Sequence, residues 1–259
     1  IDVRGLQSLD YLDLPGLIRQ GRDAFTLGDR LWAVPFYFDT QVLYYNPQLV
    51  GELPEYPWTL TAMERAAAEL AEAGVAPLAW NAYSMNWLIP FEIAFGKRSL
   101  IEADGSIRVD DQPTLDALRY VLRLQEEGLL VPMERDAMDA LFIAGEVGMM
   151  LSGSYAIPHL ESLGVPFAVR PYPFNADTGR PVSPLLDFKA FGMSRRTRVP
   201  VLARRFLQHL YGVGVQQRFC SALNKLPVRE EMRPIVARWS AYGEVLSRSV
   251  DAGTVIPPL

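Results

Sequence analysis

The stretch Phe142–Ile157, FIAGEVGMMLSGSYAI, limits the fold more than any other part of the chain. It reads as a helix end, a turn at Gly145-Glu146, a strand Val147–Leu151, a Ser-Gly-Ser corner and a new helix near Tyr155. A short apolar run bounded by glycine suits a strand buried on both faces, as in an α/β sheet covered by helices. The corner lies at the carboxyl end of that strand, where open α/β sheets hold their ligands. Tyr155 is the first large side chain past the corner, and its ring and hydroxyl suit a cleft wall. Ordinary core packing accounts for it equally well.

Other segments fit the same class. Leu31–Asn46 (LWAVPFYFDTQVLYYN) predicts two strands, Leu31–Pro35 and Gln41–Tyr45, with Asp39 between them behind three aromatics. A buried carboxylate needs partners. In a sugar cleft the hydroxyls supply them while the rings cover the apolar sugar face; a surface bend is the competing reading. A helix is expected over Thr61–Ala73, capped by Thr61 and Glu64 and stopped by Gly74. Asn81–Asn86 is a polar loop, and Trp87 follows it, placed to line a cleft or to pack in the core. Gly96–Val109 reads as a hairpin turning at Asp104-Gly105. Asp111 caps a helix whose buried stripe is Leu115, Leu118, Val121, Leu122 and Leu129. A strand Val165–Val169 follows the central one, and Leu185–Met193 is a later strand holding Asp187. In the helix Pro200–Tyr211, Val201, Leu202, Phe206, Leu207 and Leu210 face inward. A last helix is expected over Arg233–Ser249.

Several chemistries lack their residues. Cys220 is the only cysteine among 259 residues, and His159 and His209 lie in separate helices, so neither an internal disulfide nor a Cys- or His-rich metal site is expected. A net charge of -5 with no long basic run argues against nucleic acid. Arg195, Arg196 and Arg198 read as a solvated face. No apolar run is long enough to span a bilayer. Phosphate-binding, dinucleotide-binding, zinc-protease and nucleophile-elbow motifs are missing. A glycosidase needs only two carboxylates, and Asp39 with Asp187 form the one pair worth naming.

Four segments, Leu31–Asn46, Phe142–Tyr155, Ala203–Phe219 and Leu226-Pro227-Val228-Arg229, occur in the order and spacing of a known family. Together they resemble the extracellular solute-binding proteins of ABC importers, in the group that includes maltose-binding protein. The resemblance implies a two-lobe, periplasmic-binding-protein-like α/β fold with crossing segments near 38–40, 185–188 and 226–228. It implies a second lobe of 41–184 plus 228–259 and an incomplete first lobe of 1–38 plus 188–225. The family opens with a βαβα segment not seen here, so the chain resembles a fragment, and weak sugar binding or dimerisation through the incomplete lobe is expected. The resemblance also implies an oligosaccharide ligand such as a maltodextrin, held between the lobes without turnover, and permease subunits as partners. No cofactor is implied. The location implied is periplasmic or extracellular, with a lipid anchor as one form of it. Carried over residue by residue, the binding candidates are Asp39, Trp87, Tyr155 and Asp187, with Tyr37 added by proximity. Glycoside hydrolysis by Asp39 and Asp187 is the alternative function.

Overall fold

The computed structural model describes residues 3–102 and 105–256. In chain order the main strands are β1 (Ala33–Tyr45), β2 (Ala76–Trp80), β3 (Leu130–Pro132), β4 (Val147–Gly153), β5 (Ala168–Arg170), β6 (Leu186–Gly192) and β7 (Leu226–Pro227). The main helices are α1 (Leu60–Glu72), α2 (Met85–Ala94), α3 (Gln112–Glu126), α4 (Arg135–Ile143), α5 (Ile157–Ser162), α6 (Pro200–Tyr211), α7 (Val213–Leu223) and α8 (Gly243–Ala252). The fold is mixed α/β.

The chain divides into two compact units. One contains the chain up to Asp39, Leu186–Ser247 and the end from Thr254; the other contains Thr40–Leu185 and Arg248–Gly253. In the second unit the strand order is β5-β1-β4-β2-β3. β4 runs parallel to β2, and β2 to β3, while β1 is antiparallel to β4 with Gln41 opposite Gly153. All seven residues of β4 are buried. Helix α1 covers this sheet closely: a methyl group on Gly148 would stand 2.5 Å from the Leu70 side chain. Trp58, Trp80, Phe91 and Leu124 belong to the core built around it.

In the first unit the amino-terminal half of β1 pairs with β6 and, antiparallel, with β7. An aromatic cluster fills this unit. Phe38 stacks on Phe188 at 4.5 Å between ring centres, and Phe36 meets Phe219 at 4.5 Å.

Several expectations need correction. Leu31–Tyr45 is not two strands around a bend: β1 is continuous through Asp39, because β6 and β7 pair with its first half and β4 and β5 with its second. Residues 228–247 group with the first unit, not with the 228–259 part of a second lobe. The boundary lies at 247/248 and not near 226–228, because β7 is bonded to Phe38 and Tyr37 and the Ile18 amide donates to the Val228 carbonyl. Helix α1 is capped by Thr59, which accepts from the Ala62 amide, while Glu64 pairs with Arg123 at 2.9 Å. No strand forms in the described part of 96–109, and the expected turn residue Asp104 lies outside the described residues. Strand β5 is shorter and later than Val165–Val169. The last helix is split into a 3-10 turn, Glu230–Arg238, and α8, with Pro234 unable to donate in the first and Gly243 pressed on the Ala237 backbone.

Candidate functional site

Three parallel strands of the second unit end at one edge of its sheet, so the segments after β2, β3 and β4 converge there. After β4, Gly153 leads into the 3-10 turn Ser154–Ala156, which turns Tyr155 back over the strand end. The ring lies so close that a methyl group on Gly153 would stand 2.1 Å from it. After β3, Arg135 opens α4 and lies 5.8 Å above the Tyr155 ring. Tyr155 also hydrogen-bonds Arg135 and so holds the guanidinium above its ordinary pKa. After β2, the Asn81 carboxamide donates to Glu134 at 3.0 Å. Tyr83 in this loop is 72% exposed.

Gln41 ties the edge together. Its amide donates to the Asn86 carbonyl at 2.9 Å, and its oxygen accepts from the Leu185 amide at 2.9 Å. The Tyr44 hydroxyl donates to the Gly153 carbonyl at 2.7 Å, and the Thr40 amide donates to the Ser154 hydroxyl at 3.1 Å. The Thr40 and Ser152 hydroxyls and the Asn81 carbonyl oxygen are buried with no hydrogen-bond partner. Buried polar atoms of this kind have bonding capacity to spare for a ligand. Trp87, in the first turn of α2, is half-buried and packs against the core of this unit. The core-packing reading of Trp87 therefore describes its contacts, and Tyr83 is the more open aromatic of this loop.

The first unit holds a second constellation. Tyr37 and Asp39 are two residues apart on β1 and so point to the same face. Helix α7 ends at Asn224, whose left-handed backbone (φ 50°) turns the chain into β7. Leu226 pairs with Phe38 and Pro227 with Tyr37, which puts Lys225 across from Asp39. The Lys225 ammonium donates to both carboxylate oxygens, at 2.9 and 2.8 Å, and lies 5.8 Å from the Tyr37 ring centre. Asp39 is only 6% exposed. Beneath the pair, Cys220 is fully buried; burial, with the Asp39 charge adding to it, pushes its thiol up to about 12, so it stays protonated.

Asp187 is placed differently. It points outward from β6, 62% exposed, and its carboxylate takes a Lys189 ammonium at 2.6 Å. Sequence reasoning named Tyr37, Asp39 and Tyr155 as candidates and did not name Lys225, Arg135, Tyr83 or Gln41. The Lys225 signal was present: Asn224 is a residue that tolerates the left-handed cap, and Lys225 is the single residue between that cap and the strand that starts at Leu226.

The bacterial extracellular solute-binding protein family profile matches residues 2–246. The chain belongs to that family. Its members are solute receptors, and among the described residues no helix is long and apolar enough to cross a membrane. Solved structures share the fold. The GacH receptor of Streptomyces glaucescens, solved unliganded and with acarbose, aligns over 98% of this chain and 68% of its own, at 21% identity and a TM-score of 0.82. A cyclo/maltodextrin-binding protein complexed with maltotetraose aligns over 98% and 67%, at 18% identity and a TM-score of 0.85. The Thermus thermophilus maltotriose binding protein aligns over 98% and 69%, at 22% identity and a TM-score of 0.80. Among curated proteins, no sequence matches.

Membership in a solute-binding family bears on the carboxylates. A glycosidase pair needs one carboxyl kept as an acid and another free to attack or to activate water. Here Asp39 is held by a bidentate ammonium and Asp187 by its own neighbour Lys189. Neither arrangement favours turnover. A solute receptor needs fixed acceptors, fixed donors and an aromatic face, and both constellations supply these. Among the described residues no group of three His, Cys, Asp or Glu side chains could hold a metal ion.

Proposed function

We propose that this chain is the carbohydrate-binding component of an ABC importer, taking an uncharged oligosaccharide such as a maltodextrin and delivering it to membrane permease subunits. The observation that carries this reading is the Tyr155 ring, fixed over the carboxyl end of β4 by Gly153 and Arg135. An immobilised ring beside unused buried acceptors is what an apolar sugar face edged with hydroxyls calls for. Tyr37 and Asp39 of the first unit are proposed as sugar contacts in their own right, and Trp87 and Asp187 as weaker ones. Proteins of the same fold have been solved with maltotetraose, maltotriose or acarbose bound, which supports an α-glucan over other solutes. Two or three charge-assisted hydrogen bonds at about 1.5–3 kcal/mol each, with one stacked ring, suffice for micromolar binding, roughly -8 kcal/mol. The protein works outside the cytoplasmic membrane, in the periplasm or anchored by lipid. Dimerisation through the first unit is part of the same proposal.

The test is a tryptophan-fluorescence titration with maltose, maltotriose, trehalose and a non-glucose control, followed by assay of the recovered sugars. Saturable quenching by an α-glucan recovered intact is the expected outcome. Saturation by none of the glucans contradicts the ligand, and cleaved sugar contradicts the receptor role and favours hydrolysis.

A further inference from the structure

The two units carry opposite charge: fifteen Lys and Arg against ten Asp and Glu in the first, ten against twenty in the second. The excess of the first unit is concentrated in one stretch. From Phe188 to Arg229 the chain has nine Lys and Arg and no Asp or Glu. Lys189, Lys225 and Arg229 are paired with Asp187, Asp39 and Glu231. Arg195, Arg196, Arg198, Arg204, Arg205 and Arg218 are exposed and form no ion pair among the described residues. Apolar side chains stand out beside several of them. Val199 is 55% exposed just before α6, and Leu202 and Phe206, one turn apart on the same side of that helix, are 65% and 53% exposed. The Phe206 ring meets that of Phe191, exposed near the end of β6, at 6.4 Å between centres. Arg205, three residues after Leu202, is its neighbour on the helix surface, and Arg196 and Arg198 lie in the turn before α6. Unpaired arginines beside exposed aliphatic and aromatic side chains suit a membrane interface, with guanidinium on lipid phosphate and the apolar groups at the acyl boundary.

We propose that this face of the first unit, formed by α6, the turn before it and the end of β6, docks on an anionic phospholipid surface. Arg196, Arg198 and Arg205 take the lipid phosphates, and Leu202 and Phe206 enter the headgroup layer beside them. A second copy of the chain is a poor occupant. Two such faces laid together about a two-fold axis would set unpaired arginines against unpaired arginines. Leu202 and Phe206 project from a helix, and a fluid lipid layer receives projecting side chains without a matching pocket. The chain as a whole is at -5, so lipid phosphate attracts this face and not the molecule at large. The proposal goes beyond the sugar reading and stands without it.

The experiment is flotation with vesicles of phosphatidylglycerol and phosphatidylcholine in equal parts, against vesicles of phosphatidylcholine alone. It is run without sugar, at low and high salt, with light scattering to follow self-association. Wild type is expected to float with the mixed vesicles only, and to be released by salt, which screens the attraction. Arg196→Gln, Arg198→Gln and Arg205→Gln together weaken binding roughly a hundredfold. Leu202→Asn with Phe206→Asn weakens it about tenfold or more. Should that pair fail to fold, Leu202→Asn alone, at the most exposed of these side chains, carries the comparison. Failure of wild type to float with the mixed vesicles overturns the proposal. Equal flotation with both kinds of vesicle overturns the role of the arginines and the proposal with it. Unchanged binding after the apolar substitutions shows a cationic face adsorbed on charge alone and overturns docking into the lipid layer. A wild type that ignores vesicles, and whose self-association is lost in Leu202→Asn, makes the face an interface between copies instead.

Discussion

A methyl group at Gly153 would stand 2.1 Å from the Tyr155 ring, so the position of the ring depends on the absence of a side chain two residues earlier. Gly153→Ala must push the ring off the strand end. We expect a loss of sugar affinity close to that of Tyr155→Ala, about tenfold for one stacked ring, about 1.4 kcal/mol. Wild-type affinity in Gly153→Ala contradicts the placement of Tyr155 in the site. Asp139, on α4 one turn from Arg135, gives a second prediction. Burial raises its carboxyl pKa, Asp136 adds to this, and Arg135 and His159 oppose it. A carboxyl raised in this way stabilises the folded state fully only below its unfolded value, and that contribution is lost as pH rises through the folded value. Asp139→Asn should therefore raise the melting temperature at pH 7 and leave it nearly unchanged at pH 3. An equal shift at both pH values contradicts this.

At the scale of elements, the sequence was legible where one residue type has one physical use. Asp111 caps α3 by accepting from the Thr114 amide, as its position predicts. The face that α3 buries was not legible. Thr114, Ala117, Tyr120, Val121 and Leu124 are buried, whereas Leu115, Leu118 and Leu122 are exposed. The reason is a polar anchor: the buried Lys97 ammonium donates to the Thr114 hydroxyl at 2.8 Å and pairs with Glu92 and Asp111 at 3.3 Å each, turning Thr114 inward. Hydrophobic periodicity does not register a buried lysine. In α6 too the expected inward face differs from the buried one: Leu207 is buried but Val201, Leu202 and Phe206 stand 62%, 65% and 53% exposed. Lys97→Met leaves Glu92 buried without its cation, and we expect a loss of about 3–5 kcal/mol in chemical denaturation. A loss under 1 kcal/mol contradicts the anchoring role of Lys97 and with it the explanation for α3.

For the whole molecule, pattern reading reached the α/β class and the family, because four weak segments in one order are jointly specific. It missed the assignment of 228–247, since strand pairing between Leu226-Pro227 and β1 joins residues some 190 positions apart and leaves no local signal. It named Asp39 as a candidate but not Lys225 as its ion-pair partner, for the same reason. The central claim is the proposal that the Tyr155 ring at the end of β4 binds an oligosaccharide. The most direct measurement is a calorimetric titration with maltotriose of wild type, Tyr155→Phe and Tyr155→Ala. The account predicts saturable binding by wild type, most of it kept in Tyr155→Phe, and a loss of about tenfold in Tyr155→Ala. Wild-type affinity in Tyr155→Ala would contradict it.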